Sequence, residues 1–246
     1  MQQAPASSPT QHGPATARTQ RATLSVAMCV YNERDTVLTV LKRVQAVPVE
    51  KEIIIVDNCS TDGTRELLQQ LSPDEATVIF HPTNLGKGAS VRTAIGRASG
   101  EYFIIQDADL EYDPAEYPLL LARAAQTGAD AVYGSRVLGE KKTCYETFYF
   151  GVRVLTWLTN LLYGGRLTDV ATACKMVKTD VIKGLGLRTS GFDLDFELTN
   201  KLCKHGFRVE DVPVSYHPRT FEQGKKIRAS DGLRALWIIL RNRFSE

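Results

Sequence analysis

The sequence predicts an α/β protein built on a mostly parallel sheet with helices on both faces. From residue 24 to residue 133, short apolar runs alternate with segments of helical spacing, and the connections between them are short. Nearly continuous apolar strands are typical of parallel sheets, which are buried on both faces. Polar clusters follow three of these runs, and ligands of such sheets bind beyond the carboxyl ends of the strands.

Each element of the first half is predicted from its own pattern. Short apolar or β-branched runs predict strands at residues 24–30, 52–56, 77–80, 102–106 and 129–133. Apolar residues that recur every three or four positions predict helices at 35–47, 62–71, 86–98 and 114–126. Pro48 ends the first helix, and the turn Asp62-Gly63-Thr64 opens the second.

Beyond Gly139 the alternation weakens. Helical spacing predicts helices at residues 144–163, 193–205 and 231–244, with one strand at 207–214 and a polar, basic loop at 215–229. The helix at 144–163 is unusually aromatic, and the last helix is amphipathic with arginines around its apolar side. We expect a disordered tail at 1–22, one folded domain at 23–229 and a C-terminal amphipathic helix at 230–246.

The composition is that of an ordinary folded protein. Of 246 residues, 43% are hydrophobic and 24% are charged, and no apolar run reaches the ~18 residues of a transmembrane helix. The net charge is +2, but residues 217–246 hold seven bases and three acids, whereas residues 23–216 hold 21 bases and 25 acids. The basic C-terminal segment favours an anionic partner, and the acidic body argues against nucleic acid.

The N-terminus and the cysteines indicate the compartment. Residues 1–22 are rich in Ala, Ser, Thr, Gln and Pro and lack an apolar segment, which excludes a secretory signal and favours disorder. Five cysteines are widely spaced and include no C-x-x-C pair, so we expect reduced and mostly buried thiols. These features favour a cytoplasmic protein.

Asp107-Ala108-Asp109 is the most informative local motif, and it directly follows the predicted strand at 102–106. Two carboxylates two positions apart at a strand end can hold one hard divalent cation together with a phosphate group. Mg²⁺ or Mn²⁺ would there neutralise the charge of a diphosphate leaving group. A solvated acidic turn before Glu111 and Asp113 would give the same pattern.

Two further polar segments follow strands. Asp57 comes after the second strand, where a carboxylate can accept hydrogen bonds from a base or ribose, while Asp62 fits an N-cap and turn. The segment 84–88 opens a helix, where glycines let backbone amides approach a phosphate that Lys87 also attracts. No nucleophilic catalyst stands out, and the four scattered histidines are interpreted as structural.

Taken together and in order, these motifs are more specific than any one of them. They comprise Tyr31-Asn32-Glu33, the segments 57–64, 84–88 and 107–110, and Gly134-Ser135-Arg136. This order resembles the family 2 glycosyltransferases, and within them the dolichol-phosphate mannose synthase group and its bacterial polyprenyl-phosphate relatives. The resemblance covers residues 24–228, but Cys29 replaces the family's usual Pro, and residues 169–175 depart from its D-P-T-S-G-F-[RK] motif.

The resemblance implies a GT-A fold, a catalytic domain at 23–229, a GDP- or UDP-linked sugar donor and inversion at the sugar carbon. Nucleotide-sugar contacts are implied for Tyr31, Glu33, Asp57, Lys87, Asp107 and Ala108. Metal contacts to Mg²⁺ or Mn²⁺ are implied for Asp107, Asp109 and Glu111. Arg136, Arg219 and Lys225 match phosphate-binding positions and, with Asp109, form the expected catalytic set; Glu197 joins this set where the acceptor needs a base.

Two acceptor classes stay open. A polyprenyl phosphate already carries an anionic oxygen, so transfer to it needs no strong general base, consistent with the absence of an obvious histidine base. A sugar hydroxyl needs a base, for which Asp195 or Glu197 is the candidate, although acids in a first helical turn also suit the helix dipole. A nucleotide-sugar-binding subunit without activity of its own is a third interpretation.

A polyprenyl acceptor would bring the protein to a membrane surface. The helices predicted at 144–163 and 231–244 combine apolar and basic residues, as interfacial helices do. Both patterns also fit helices that pack on the body of the protein. We favour peripheral association with the cytoplasmic membrane face.

Overall fold

The computed structural model describes residues 23–139, 146–219 and 229–244, except for the side chains of residues 146–148 and 229–231. The predicted tail at 1–22 and the predicted catalytic residue Lys225 lie outside the described residues.

The described residues form seven strands and eight α-helices. The strands are β1 (Leu24–Val30), β2 (Lys51–Asp57), β3 (Thr77–Phe80), β4 (Tyr102–Asp107), β5 (Ala131–Ser135), β6 (Lys175–Lys178) and β7 (Val209–Pro213). The helices are α1 (Val37–Ala46), α2 (Thr64–Leu68), α3 (Lys87–Arg97), α4 (Tyr117–Thr127), α5 (Glu146–Tyr163), α6 (Thr179–Gly184), α7 (Leu194–Lys204) and α8 (Ala229–Phe244). A 3₁₀ turn at Pro114–Glu116 precedes α4.

All seven strands belong to one sheet, in the order β3-β2-β1-β4-β6-β5-β7. Strand β6 is antiparallel to both of its neighbours, and the other pairs are parallel. The prediction of a mostly parallel sheet is therefore confirmed. Because the parallel strands all end at one edge, the loops that follow them come together there.

Helices cover both faces of the sheet. In β1, Val26 and Met28 face one core cluster, and Ala27 between them faces the other, as the two-residue period of a strand requires. The first cluster contains residues of α1 and α4, and the second contains residues of α3, α7 and α8. This two-sided burial explains why the strands carry nearly continuous apolar runs.

The second half departs from the sequence prediction in two elements. Strand β6 and helix α6 are absent from the sequence prediction. The sequence of β6, Lys-Met-Val-Lys, has only two apolar residues, and its first lysine is buried. In the first half the nine predicted elements all form, although α2 is shorter than the predicted 62–71. The four described cysteines are all free, as predicted. Only Cys174 among them is buried, so the prediction that the thiols are mostly buried was wrong.

The C-terminal helix packs against the body of the protein. Helix α8 contacts α5 and α7, and the Tyr163 hydroxyl of α5 donates a hydrogen bond of 2.6 Å to the Ile239 carbonyl of α8. No helix in the described part of the chain is long and apolar enough to cross a membrane.

Candidate functional site

The loops that follow β1 and β2 are joined at the carboxyl edge of the sheet. Asn32, after β1, has a φ of 53°, in the left-handed region that Asn tolerates better than most residues. Its backbone N–H donates to Ser60 Oγ at 2.9 Å, and its side-chain oxygen accepts from the Thr61 N–H at 2.8 Å. These two bonds fix the first loop relative to the second.

Asp57, the last residue of β2, is fully buried. Its carboxylate accepts a hydrogen bond from the Ser60 N–H at 3.2 Å and lies 3.7 Å from Arg65 Nε. These contacts hold the loop after β2 and the start of α2. The Asp57 carboxylate, for which a nucleoside contact is predicted, therefore faces its own loop and the start of α2.

His81 connects the loop after β2 to α3. Its Nδ1 lies 3.1 Å from Asn58 Oδ1, and its Nε2 lies 3.0 Å from Thr93 Oγ1. Asn58 Oδ1 also accepts the Leu85 N–H, so His81 donates from Nδ1 and accepts the Thr93 hydroxyl at Nε2. Burial lowers the pKa of His81, which favours this neutral form. The contacts agree with the structural role predicted for this histidine.

Three carboxylates from two loops surround the Arg219 guanidinium, and we call Glu33, Asp109 and Glu111 the acidic cluster. Arg219 Nη1 donates to both Glu33 carboxylate oxygens, at 3.0 and 3.2 Å, and Nη2 donates to Asp109 Oδ2 at 3.0 Å. The Arg219 backbone N–H donates to Glu111 Oε1 at 2.9 Å. Arg219 comes from the segment after β7, 110 positions beyond Asp109.

The acidic cluster is shielded from solvent. The side chains of Asp109 and Glu111 are 13% and 12% exposed, so the predicted alternative of a solvated acidic turn is wrong. Burial, with the charges of Asp107 and Glu111, raises the pKa of Asp109 to about 7, although Arg219 acts to lower it. Shielded carboxylates that repel one another in this way form a site that attracts cations.

Lys87, the first residue of α3, neutralises Asp107. Its Nζ lies 2.7 Å from Asp107 Oδ1 and 2.8 Å from Oδ2. Burial alone would lower the pKa of Lys87, but the carboxylates of Asp107 and Asp195 more than offset this and raise it. A permanent positive charge and the amides at the start of α3 therefore lie beside the end of β4.

The loop at 188–191 fixes the start of α3. The Gly88 N–H donates to the Ser190 carbonyl at 2.7 Å, and a Cβ on Gly88 would lie only 2.6 Å from the Thr189 carbonyl oxygen. Glycine is therefore required for this close approach.

The carboxylate of Glu197, in α7, binds the backbone of the same loop. It accepts hydrogen bonds from the Arg188 N–H at 3.0 Å and from the Thr189 N–H at 2.8 Å. The Thr189 hydroxyl and the Lys201 ammonium also bind it. Burial favours a raised pKa, but these donors outweigh burial and lower the pKa of Glu197. Its contacts make Glu197 a support of the loop at 188–191.

Arg136, which follows β5, forms a buried two-point ion pair with Asp169. Nε lies 2.7 Å from Asp169 Oδ2, and Nη2 lies 2.8 Å from Oδ1. The guanidinium also lies 5.2 Å from the centre of the Tyr216 ring, whose hydroxyl donates to Glu111 Oε2 at 2.8 Å. Arg136 is thus connected to the acidic cluster through Tyr216.

Asp195, in the first turn of α7, lies between two lysines. Its Oδ1 is 3.7 Å from the Nζ of the fully buried Lys175, and its charge also raises the pKa of Lys87. Asp195 Oδ1 is buried and has no hydrogen-bond partner among the described residues. Lys175 itself was not predicted, because a lysine in a short polar segment gives no signal that its side chain is buried.

The structure brings some predicted site residues together and separates others. Glu33, Asp109, Glu111 and Arg219 are in direct contact, and the Lys87–Asp107 pair lies next to them along β4 and its loop. Tyr31 is half-buried at the same edge, whereas the Ala108 side chain is buried in the core cluster. Asp57 and Glu197 each support a neighbouring loop.

Residues 25–186 match the family model described as glycosyl transferase family 2. The chain belongs to this family. Together with the sheet and the loop motifs at its carboxyl edge, the match makes the protein a family 2 glycosyltransferase, as the resemblance implied.

Two relatives of this family 2 glycosyltransferase have names that state an activity. The low-salt glycan biosynthesis hexosyltransferase Agl6 of Haloferax volcanii is 27% identical over 208 residues, which are 81% of this chain and 49% of Agl6. The chain thus spans about half the length of Agl6. The polyprenol monophosphomannose synthase of Mycolicibacterium smegmatis is 27% identical over 230 residues, covering 84% of this chain and 81% of that protein.

The solved structures confirm the GT-A fold. The glucosyl-3-phosphoglycerate synthase of Mycobacterium tuberculosis, in complex with Mn²⁺, UDP and phosphoglyceric acid, superposes with a TM-score of 0.69 at 17% identity, covering 96% of this chain and 86% of that chain. The same synthase in complex with Mg²⁺ and UDP gives a TM-score of 0.66 at 18% identity, covering 94% and 85%.

Proposed function

We propose that this family 2 glycosyltransferase transfers a hexose from a GDP- or UDP-linked sugar to a polyprenyl phosphate. The observation that carries the proposal is the shielded acidic cluster at the carboxyl edge of the sheet, with Arg219 on it and the Lys87–Asp107 pair beside it. Carboxylates and fixed cations side by side suit a substrate that carries both a sugar and phosphates. The names of the two relatives supply the hexose and the lipid acceptor.

The donor would lie along the loops after β1, β2 and β4. Tyr31 and Glu33 would contact the nucleoside, and Asp57 would act from the loop that it supports. Lys87 would bind the diphosphate as a fixed positive charge at the start of α3, where the helix dipole also favours an anion. UDP in the complexes of the glucosyl-3-phosphoglycerate synthase supports a donor in this fold.

The donor set fits a hard divalent cation. Within the described residues no three metal-ligating side chains converge, but Mg²⁺ commonly takes one or two carboxylates and completes its shell with substrate phosphates and water. Asp107 and Asp109 offer such oxygens, and Lys87 and Arg219 balance their charge. One or two of the predicted ligands Asp107, Asp109 and Glu111 would hold Mg²⁺ or Mn²⁺, which when bound would neutralise the charge of the leaving diphosphate.

The acceptor oxygen would attack without a general base. A phosphate oxygen of the lipid forms the new bond to the anomeric carbon while the bond from that carbon to the diphosphate breaks, and the electron pair leaves with the nucleoside diphosphate. Arg219 would orient the acceptor phosphate with the guanidinium that Glu33 and Asp109 hold in place. Arg136 and Lys225 would assist, and attack from the opposite face inverts the configuration.

A saccharide acceptor is the second candidate, and Asp195 is the observation that favours it. Its buried Oδ1 has no hydrogen-bond partner in the described structure and lies near Lys87, so it could accept the proton of a sugar hydroxyl. The same carboxylate could instead bind a donor hydroxyl, so the two candidates differ in the effect of Asp195→Asn.

The test offers labelled GDP-mannose and labelled UDP-glucose with Mn²⁺, each with polyprenyl phosphate or with a set of saccharides. We expect label in the organic phase for one donor with the lipid, lost on addition of EDTA. Asp109→Asn should lower transfer about a hundredfold, because it weakens binding of the cation that would neutralise the leaving diphosphate. Asp74→Asn, an exposed aspartate, is the control.

Label found only on a saccharide, with loss of transfer in Asp195→Asn, would reject the lipid acceptor and support the second candidate. Full transfer in the presence of EDTA would reject the metal. Binding of a nucleotide sugar without transfer to any acceptor would favour a subunit without activity of its own.

A further inference from the structure

Helix α5 carries an apolar stripe on the side that faces solvent. Its members recur every three or four positions: Phe150, Val154, Trp157 and Leu161. Phe150 is 71% exposed and Trp157 is 63% exposed. The opposite side of the helix is the buried one, with Val152, Thr156 and Thr159. The exposed side of α5 is therefore more apolar than these buried positions, the reverse of an ordinary surface helix.

Helix α8 also carries an exposed apolar stripe. Its exposed stripe is formed by Leu233, Leu236, Trp237, Leu240 and Phe244, of which Phe244 is 86% exposed. Its buried side contains Ala235, Ile238 and Ile239. An ordinary surface helix exposes charged and polar residues on the side opposite its core contacts.

The two exposed stripes belong to one side of the molecule. Helices α5 and α8 are in contact, and the buried side of each packs into the same core cluster. Both stripes lie opposite that cluster, so both face outward. We call this surface the α5–α8 face. Aromatic exposure on this scale marks an interaction surface rather than scattered surface apolar residues.

The described charged side chains of the α5–α8 face all have one sign; the acids Glu146 and Asp231, in the first turns of the two helices, lie outside the described side chains. Among the described side chains of α5 and α8, the charged residues are Arg153, Arg234, Arg241 and Arg243, and none is acidic. By helical spacing, Arg234 and Arg241 lie on one flank of the α8 stripe, and Arg243 lies on the other. The Arg241 guanidinium stacks 4.6 Å from the centre of the Trp237 ring.

We propose that the α5–α8 face docks on an anionic lipid bilayer. Tryptophan, phenylalanine and leucine would enter the boundary between headgroups and acyl chains, and the flanking arginines would pair with lipid phosphates. A second copy of the chain fits less well, because a two-fold contact would oppose arginines to arginines. Docking on a bilayer would support the proposal that the acceptor is a polyprenyl phosphate. The docking itself does not depend on that proposal.

The test is sedimentation of the full chain with vesicles that lack any sugar acceptor, so its failure leaves the proposed transfer untouched. One set of vesicles is phosphatidylcholine, and the other mixes phosphatidylcholine with phosphatidylglycerol. We expect binding to the mixed vesicles, weakened by salt, and a fall of about tenfold or more in Trp157→Ser/Trp237→Ser. Leu119→Ser, an exposed leucine of α4, is the matched control and should bind as the wild type does.

A second pair of variants separates charge from apolar insertion. Arg234→Gln/Arg243→Gln should lower binding to the mixed vesicles about tenfold, whereas the exposed pair Lys42→Gln/Arg43→Gln on α1 should not. Absence of vesicle binding, or equal binding by the tryptophan variant and the wild type, would overturn the proposal. Light scattering that shows a dimer abolished by Trp157→Ser/Trp237→Ser would also overturn it and assign the face to a second copy.

Discussion

Arg219 is the residue that holds the three carboxylates of the acidic cluster together. Its guanidinium binds Glu33 and Asp109, and its backbone binds Glu111. An added cation would compete with this side chain for the same carboxylate oxygens. The ion pairs therefore stabilise the site in the absence of metal, and their removal leaves shielded carboxylates that repel one another.

Arg219→Gln should make stability depend on metal. Without metal we expect the variant to lose roughly 1–3 kcal/mol, because partly buried charges lose their partner. Mn²⁺ should raise its melting temperature more than that of the wild type, since binding to the folded state stabilises by mass action. Thermal unfolding with EDTA and with Mn²⁺ checks this, with the exposed Arg208→Gln as control. Equal Mn²⁺ shifts in variant and wild type would contradict it.

Glu197 acts, in our interpretation, by positioning the loop at 188–191 against α3 rather than by moving a proton. Glu197→Gln should lower the melting temperature and raise the KM for the donor about tenfold, because a small displacement of Lys87 misaligns the diphosphate. The pH profile of kcat should keep its shape. Loss of its acidic limb at unchanged KM would instead identify Glu197 as the base, and the exposed Glu75→Gln is the control.

At the scale of elements, helix α3 contains two glycines with opposite surroundings. A Cβ at Gly88 would lie 2.6 Å from the Thr189 carbonyl oxygen, whereas a Cβ at Gly96 would meet nothing within 4 Å. Gly88→Ala should cost roughly 1–3 kcal/mol and weaken donor binding, because the loop at 188–191 must move away. Gly96→Ala should stabilise by about 0.4–1 kcal/mol through helix propensity. Urea unfolding measures both, and a stable Gly88→Ala would show that the contact is soft.

The strands and helices of the first half were predictable because each carries its own pattern. In β1 to β5 and α1 to α4 the apolar period alone identifies the element. Strand β6 could not be predicted, because Lys175 is buried by partners from α7 and from the loop before β6. No local sequence pattern encodes these partners. The position of β6 between β4 and β5, antiparallel to both, likewise arises from tertiary packing.

The candidate site was predictable to the extent that it follows strand ends. Asp107 and Asp109 are identified by their place after β4. Their partners are not, because Arg219 approaches from 110 positions away and Asp169, the partner of Arg136, lies 33 positions beyond it. A charged pair between residues that are distant in the chain has no characteristic sequence spacing by which it could be recognised.

At the scale of the whole molecule, the uneven charge has a structural explanation. The basic segment at 217–246 contributes Arg219 to the acidic cluster and three arginines to α8. The acidic excess of the body is thus partly neutralised inside the site by the C-terminal segment. The proposed bilayer surface and the proposed active site draw on one stretch of chain, which would link membrane docking to the side chain proposed to orient the acceptor phosphate.

Lys175 should give global stability a distinct pH dependence. Its Nζ is buried, donates to the Val170 carbonyl at 3.0 Å and to Thr199 Oγ1 at 3.1 Å, and burial lowers its pKa from 10.5 to about 8. Between these values the unfolded chain binds more protons, so the free energy of unfolding should rise by up to about 1.4 kcal/mol per pH unit. Below pH 8 both states are protonated and the contribution is constant. Urea unfolding of the wild type and Lys175→Met across this window should give a difference that grows with pH, and a constant difference would contradict the lowered pKa.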